Sequence, residues 1–129
     1  MNVGLVVVTH GEIGSALIRS AEFILGCSLD EISCIGVSQS GTEKPDLDHM
    51  ADAISRADRG DGILVLTDLA FASPTNAIES LLGNHRARIV SGLNLPMLLR
   101  TWNYRGEDLE SLADRAETGG TRGIESRAP

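Results

Sequence analysis

The sequence predicts an open parallel α/β sheet, and three observations carry that expectation. Strand-like and helix-like segments alternate along the chain. The first strand-like run, Val3 to Thr9 (VGLVVVT), is apolar almost throughout, as suits a strand buried on both faces. The chain has 129 residues, 42% of them hydrophobic but only 3% aromatic, so Val, Ile, Leu and Ala must fill the core. Such a core suits helices packed on a parallel sheet. A single domain spanning 1–129 accommodates this length.

The elements follow in order. After the first strand, Ile13, Leu17, Ala21 and Ile24 recur at helical spacing, and Gly26 is a stop. Ile32 to Val37 reads as the second strand, followed by a loop at Ser38, Gln39, Ser40 and Gly41. Pro45 to Ala57 carries Leu47, Met50, Ala51 and Ile54 at helical spacing, with Gly60 and Gly62 beyond its end. Ile63 to Thr67 is the third strand. Ser73-Pro74 reads as a helix start, with a hydroxyl cap and Pro at the first helical position, and the helix runs to about Leu82. Arg88 to Gly92 is the fourth strand. Pro96 opens a helix through about Tyr104, and Asp108 to Thr118 is helical again. The tail after Gly119 is polar, and Ile124 to Ser126 is a candidate edge strand. Right-handed βαβ crossovers then give a flavodoxin-like sheet of order 2-1-3-4 with helices on both faces. Ligands and chemistry in such sheets sit beyond the carboxyl ends of the strands, at the switch point between strands 1 and 3.

Charge and cysteines narrow the function classes. The net charge of -7 argues against a sequence-independent grip on nucleic acid and against an anionic membrane surface. It permits steering toward a basic protein partner, and it also serves plain solubility. No signal peptide is expected, because the opening apolar run is short and lacks a basic region before it. No stretch approaches the roughly 20 apolar residues of a membrane span. The cytosol is therefore the expected compartment, with Cys27 and Cys34 reduced at core or boundary positions. Neither makes a CxxC pair, and no zinc site is expected.

Two residues stand out at the strand ends. His10 ends strand 1 and Asp68 ends strand 3, and the expected order makes these strands neighbours. A carboxylate bonded to one imidazole nitrogen fixes the tautomer and leaves the other as a nucleophile. Gly11 precedes a helix, so backbone N–H groups and the positive helix end can face an anion. Ser73 can add a hydroxyl or its N–H, and Thr9 can contribute too. Phosphoryl transfer needs mostly positioning and anion stabilisation, so a small constellation suffices. Structural roles stand beside these: Asp68 as a turn cap, Ser73 as an N-cap. His49 and His85 read as surface residues.

Competing chemistries fit less well. A dinucleotide site wants G-x-G-x-x-G after strand 1 and an acid after strand 2, whereas the chain has T-H-G-E-I-G and Ser38-Gln39-Ser40. A receiver domain has its acceptor Asp after strand 3, but needs an acidic pair where His10 stands. A hydrolase triad of Ser73, His10 and Asp68 lacks the G-x-S-x-G elbow.

The sequence resembles the IIA domain of the mannose family of the bacterial phosphoenolpyruvate-dependent sugar phosphotransferase system. The resemblance rests on G-L-V-V-V-T-H-G at 4 to 11, S-A-E-F-I-L-G at 20 to 26 and G-I-L-V-L-T-D-L-A-F-A-S-P-T-N-A at 62 to 77. It continues in S-G-L-N-L-P-M-L-L at 91 to 99 and E-T-G-G-T-R-G-I at 117 to 124. It implies that His10 is the phosphorylated histidine, that Asp68 orients it, and that Ser73 helps hold the phosphoryl group. It further implies phospho-HPr as donor, a histidine of a IIB protein as acceptor, no metal or cofactor, and a homodimer in which a C-terminal strand, here Ile124 to Ser126, crosses to the partner.

One departure matters. Many members of that family carry a Gly pair between the Asp and the Ser-Pro, where this chain has Phe71 and Ala72. Gly permits unusual φ/ψ and close backbone approach, so Phe71 and Ala72 are expected at the rim of the crevice, where partner fit is decided. Two readings follow. In one, His10 relays phosphoryl groups from HPr to a separate IIB protein during sugar uptake. In the other, the phosphorylation state of His10 governs binding to a non-transport partner.

Overall fold

The computed structural model describes residues 1–38 and 46–129. Four strands, β1 (Gly4–His10), β2 (Ile32–Val37), β3 (Ile63–Thr67) and β4 (Ala87–Ser91), form one sheet of order β2-β1-β3-β4. Every pairing is parallel. Five helices connect or follow them: α1 (Ile13–Leu25), α2 (Leu47–Ala57), α3 (Ser73–Leu81), α4 (Leu95–Asn103) and α5 (Leu109–Arg122). This is the expected α/β architecture, with β1 and β3 side by side at the centre.

Alternation along the strands builds two apolar layers. Leu5, Val7, Leu64 and Leu66 pack with Ala21 of α1, Leu98 and Trp102 of α4 and Leu112 and Ala116 of α5. Val6, Val8, Val65 and Ile35 pack on the other face with Met50 and Ile54 of α2 and Ile78 of α3. Both central strands are therefore buried on two sides. That burial is why their sequences read as near-continuous apolar runs.

Local signals set most of the boundaries. Gly26 takes φ 69 as the C-cap of α1, and its N–H bonds to the carbonyl of Glu22. Asn94 caps α4, its side-chain oxygen accepting from the Met97 amide at 2.9 Å. Asp46 and Asp108 cap α2 and α5 in the same way. Gln39, Ser40, Gly41 and Pro45 lie outside the described residues, so the loop and helix start expected there are not compared.

Besides one-residue shifts of β1 and β4 from their expected bounds, the structure departs from the sequence expectation at α3, α5 and the C-terminal tail. Ser73 is not the cap of α3: Ala72 holds that position without a side-chain bond, and Ser73 is the first helical residue. Helix α5 does not stop before Gly119 but runs through Gly119 and Gly120 to Arg122. These glycines serve packing, because a Cβ at 119 would lie 2.7 Å from Arg100 Cβ and one at 120 would lie 2.8 Å from Met97 Cε. Residues 124–129 form no strand within the chain, and Ile124 is exposed.

Candidate functional site

Strand β1 carries the key residues to the carboxyl edge of the sheet. Successive side chains alternate between faces, so Thr9 and His10 part company. Thr9 turns toward α1 and is fully buried. Its hydroxyl accepts from the Gly14 amide at 2.9 Å and donates to the His10 carbonyl at 3.2 Å. Thr9 thus satisfies an amide in the first turn of α1, a group that has no intrahelical partner. That corrects the phosphate-facing place expected for it. His10 emerges at the edge with its side chain 31% exposed.

Asp68 directly follows β3 and meets His10 as the strand order requires. One carboxylate oxygen, Oδ2, accepts from His10 Nδ1 at 2.8 Å and from the His10 backbone N–H at 3.0 Å. The other, Oδ1, is buried and has no partner among the described residues. Burial, the largest single influence, pushes the Asp68 carboxyl up. The backbone and ring hydrogen bonds from His10, with the attraction of its charge, outweigh it and hold Asp68 below the usual carboxylate range. An ionised Asp68 that accepts from Nδ1–H leaves the lone pair on Nε2. It also offsets positive charge that develops on the ring. Such an arrangement can orient an imidazole as a nucleophile and compensate its charge.

Gly11 closes the turn after His10 at φ 45. Its amide donates to the Val37 carbonyl at 2.7 Å and extends the β1–β2 ladder. That amide is therefore engaged and not free to meet an anion, a correction to the role expected of it. The turn leans on Gly36, where a Cβ would stand 2.2 Å from the Gly11 carbonyl oxygen. Gly36 carries no reactive group. Its available signal was a glycine inside a strand, which marks close backbone approach. The N-terminal end of α1 begins three residues after His10 and lends its positive dipole to the same edge.

The β3–α3 loop supplies the opposite wall. Ser73 is exposed, and no hydrogen bond engages its hydroxyl among the described residues. Of the residues expected around a phosphate, Ser73 is the one left open. Phe71 is 89% exposed and sits at φ 61, while Ala72 is half-buried at φ -84. Two side chains of α3 fasten the loop. Thr75 Oγ1 donates to the Leu69 carbonyl at 2.6 Å, and Asn76 Nδ2 donates to the Phe71 carbonyl at 3.2 Å. Both fall in the S-P-T-N stretch that the family resemblance includes.

The remaining candidates lie elsewhere. His49 is exposed on α2. His85 is half-buried, its Nδ1 2.7 Å from Asp58 Oδ2, which corrects its reading as a plain surface residue. Cys27 and Cys34 are both free and exposed, against the core or boundary places expected for them. Among the described residues no group of three His, Cys, Asp or Glu side chains is placed to hold a metal ion. No helix among them is long and apolar enough to cross a membrane.

Comparison with known proteins places these features in context. The family model described as PTS system fructose IIA component matches residues 4–118. The mannose-specific EIIAB component of the phosphotransferase system from Escherichia coli (strain K12) is 27% identical over 123 residues, covering 92% of this chain and 38% of that protein. The chain thus spans about two fifths of the length of this curated relative. Among solved structures, a phosphotransferase system component EIIA from Streptococcus agalactiae superposes with a TM-score of 0.78 at 26% identity, over 96% of each chain. The mannose/sorbose specific IIA subunit from Enterococcus faecalis gives 0.81 at 21% identity, over 100% of this chain and 97% of that one.

Proposed function

The chain belongs to the fructose and mannose IIA family of the phosphotransferase system, and from that premise we propose that His10 carries the phosphoryl group. The observation that supports this most is the single Asp68 oxygen that accepts both the ring and the backbone N–H of His10. Nε2 attacks the phosphorus of phospho-HPr. The Nε2–P bond forms as the donor's bond to phosphorus breaks, and the electron pair of that bond stays with the donor. Asp68 compensates the ring charge, and Ser73, with the α1 and α3 N-termini, offsets the charge of the phosphoryl oxygens. The reverse geometry delivers the group to a histidine of a IIB protein. The reading includes a cytosolic homodimer, with Ile124 to Ser126 available to pair with a partner's sheet.

The test uses phosphoenolpyruvate, enzyme I and HPr. The expected product is an acid-labile, base-stable phosphoryl adduct on the wild-type chain and none on His10→Ala. Labelling of His10→Ala at the wild-type rate would remove His10 from the mechanism. A regulatory role for the same phosphorylation draws support from Phe71, an exposed aromatic where the family commonly has glycine. Binding of a non-transport protein to only one phosphorylation state of His10 would favour that role.

A further inference from the structure

A separate concavity lies at the amino ends of β1 and β2, the opposite end of the sheet from His10. It is a cavity of about 380 Å³, within the size range of small-molecule sites. Arg59, just beyond α2, and Arg105, just beyond α4, line it. Asn2, Asn103 and Glu31 add two amides and one carboxylate. No His, Cys, Ser or Thr among the described residues lines it, so binding and not covalent chemistry is what it can supply.

Both arginines lack a carboxylate partner among the described residues. The arginine ion pairs found there engage Arg56, Arg88, Arg115 and Arg127 instead. The acids nearest Arg59 in sequence are committed elsewhere. Asp58 is bonded to His85 and to the Gly60 amide, and Asp61 accepts from the Asn2 backbone N–H at 2.7 Å. On a chain with 18 acidic and 11 basic residues, a cavity that gathers two unpaired guanidinium groups runs against the prevailing charge. Arg105 is also held in place. Its Nη1 donates to the Trp102 carbonyl at 2.9 Å, and its guanidinium carbon stands 3.9 Å from the centre of the Trp102 ring. An arginine fixed in this way has less rotamer entropy to lose when its other N–H groups take a ligand.

We propose that this cavity binds a small phosphate ester of a polyol, at a site separate from His10. Guanidinium groups match phosphate oxygens in both geometry and charge, and two of them can share one dianionic group. The Glu31 carboxylate accepts from hydroxyl groups, and the Asn2 and Asn103 amides both donate and accept. Glu31 also discriminates. A ligand with an anionic group at each end would bring like charge against it, which sets polyol phosphates ahead of dicarboxylates. The bound ligand joins the start of β1, the end of α2 and the α4–α5 turn, so it stabilises the folded chain.

The probe is α-glycerophosphate, measured by titration calorimetry against glycerol, inorganic phosphate and malate. The expected result is saturable binding of α-glycerophosphate to the wild type and to His10→Ala alike. Inorganic phosphate and malate should bind more weakly, and glycerol not at all. Arg59→Gln should weaken α-glycerophosphate binding about tenfold or more, as the loss of a charge-assisted hydrogen bond does. Arg105→Gln should do the same. Because Arg105 also packs on Trp102, its melting is followed alongside, and Arg59→Gln, which removes an exposed side chain, decides the matter if Arg105→Gln does not fold. Absence of binding to the wild type up to about 10 mM overturns the proposal. Undiminished binding to Arg59→Gln overturns it too. Loss of binding in His10→Ala would place the ligand at the other end of the sheet and equally overturn it. Malate bound as tightly as α-glycerophosphate would overturn the assignment to a phosphate ester.

Discussion

Asp68 makes two bonds through one oxygen, and a neutral amide can keep an acceptor there but not its charge. In Asp68→Asn the side-chain oxygen can still take the backbone N–H, but no carboxylate charge remains to support a cationic ring. Phosphoryl transfer should fall on the order of 10–100-fold, as for the carboxylate partners of metal-bound histidines, with the fold intact by circular dichroism. Unchanged single-turnover rates would release Asp68 from this role. The pH dependence has a definite sign. The folded carboxyl titrates below its unfolded range, near 3.9 for a free Asp. Its stabilisation is complete above that range and fades as pH falls through the lowered folded value. Wild type should therefore lose its Tm advantage over Asp68→Asn only below about pH 4. His10 and Asp68 were legible because their residue types announce chemistry. Thr9 was misread for the same reason: a hydroxyl beside a histidine looks reactive, yet strand alternation turns it toward Gly14.

At the scale of elements, the strands were easier to read than the helix ends. Ile32–Val37 and Ile63–Thr67 match their expected bounds residue for residue, since short apolar runs flanked by polar or glycine residues leave little freedom. Helix α5 was harder, because Gly119-Gly120 looks like a terminator until α4 is present. In an isolated helix, Gly→Ala gains about 1 kcal/mol. Gly119→Ala should reverse that sign. Its Cβ would meet Arg100 Cβ, an atom tied to the backbone, and overpacking of that kind costs about 1–3 kcal/mol. Gly120→Ala meets the flexible tip of Met97 and should lie near neutral. Thermal melts of the two variants check the contrast, and equal shifts would contradict the packing account.

Across the whole molecule, the candidate site occupies one edge of the sheet and a side-chain pair fastens the other. His10, Asp68 and Phe71 lie at the carboxyl ends of the strands. At the opposite end, Asp58 follows α2 and His85 precedes β4, so their 2.7 Å bond ties two connections together. Asp58 also accepts from the Gly60 amide at 2.9 Å. The hydrogen bond from His85, then that from Gly60, holds its carboxyl below the ordinary range. His85→Ala should lower Tm while leaving the rate of His10 phosphorylation unchanged, measured by melting and by label uptake. A change in rate with no change in Tm would place His85 in the chemistry instead. Sequence alone could not pair Asp58 with His85, since 27 positions separate them and only the folded loops bring them together.

The shared oxygen of Asp68 has one more consequence. The His10 backbone N–H points at a carboxylate where a strand amide ordinarily meets a carbonyl. Any change in ring charge redraws the electron density on that oxygen and so reaches the main chain of β1. The amide proton of residue 10 is thereby a built-in spectroscopic gauge, its resonance coupled to the chemical state of a side chain that it never touches directly.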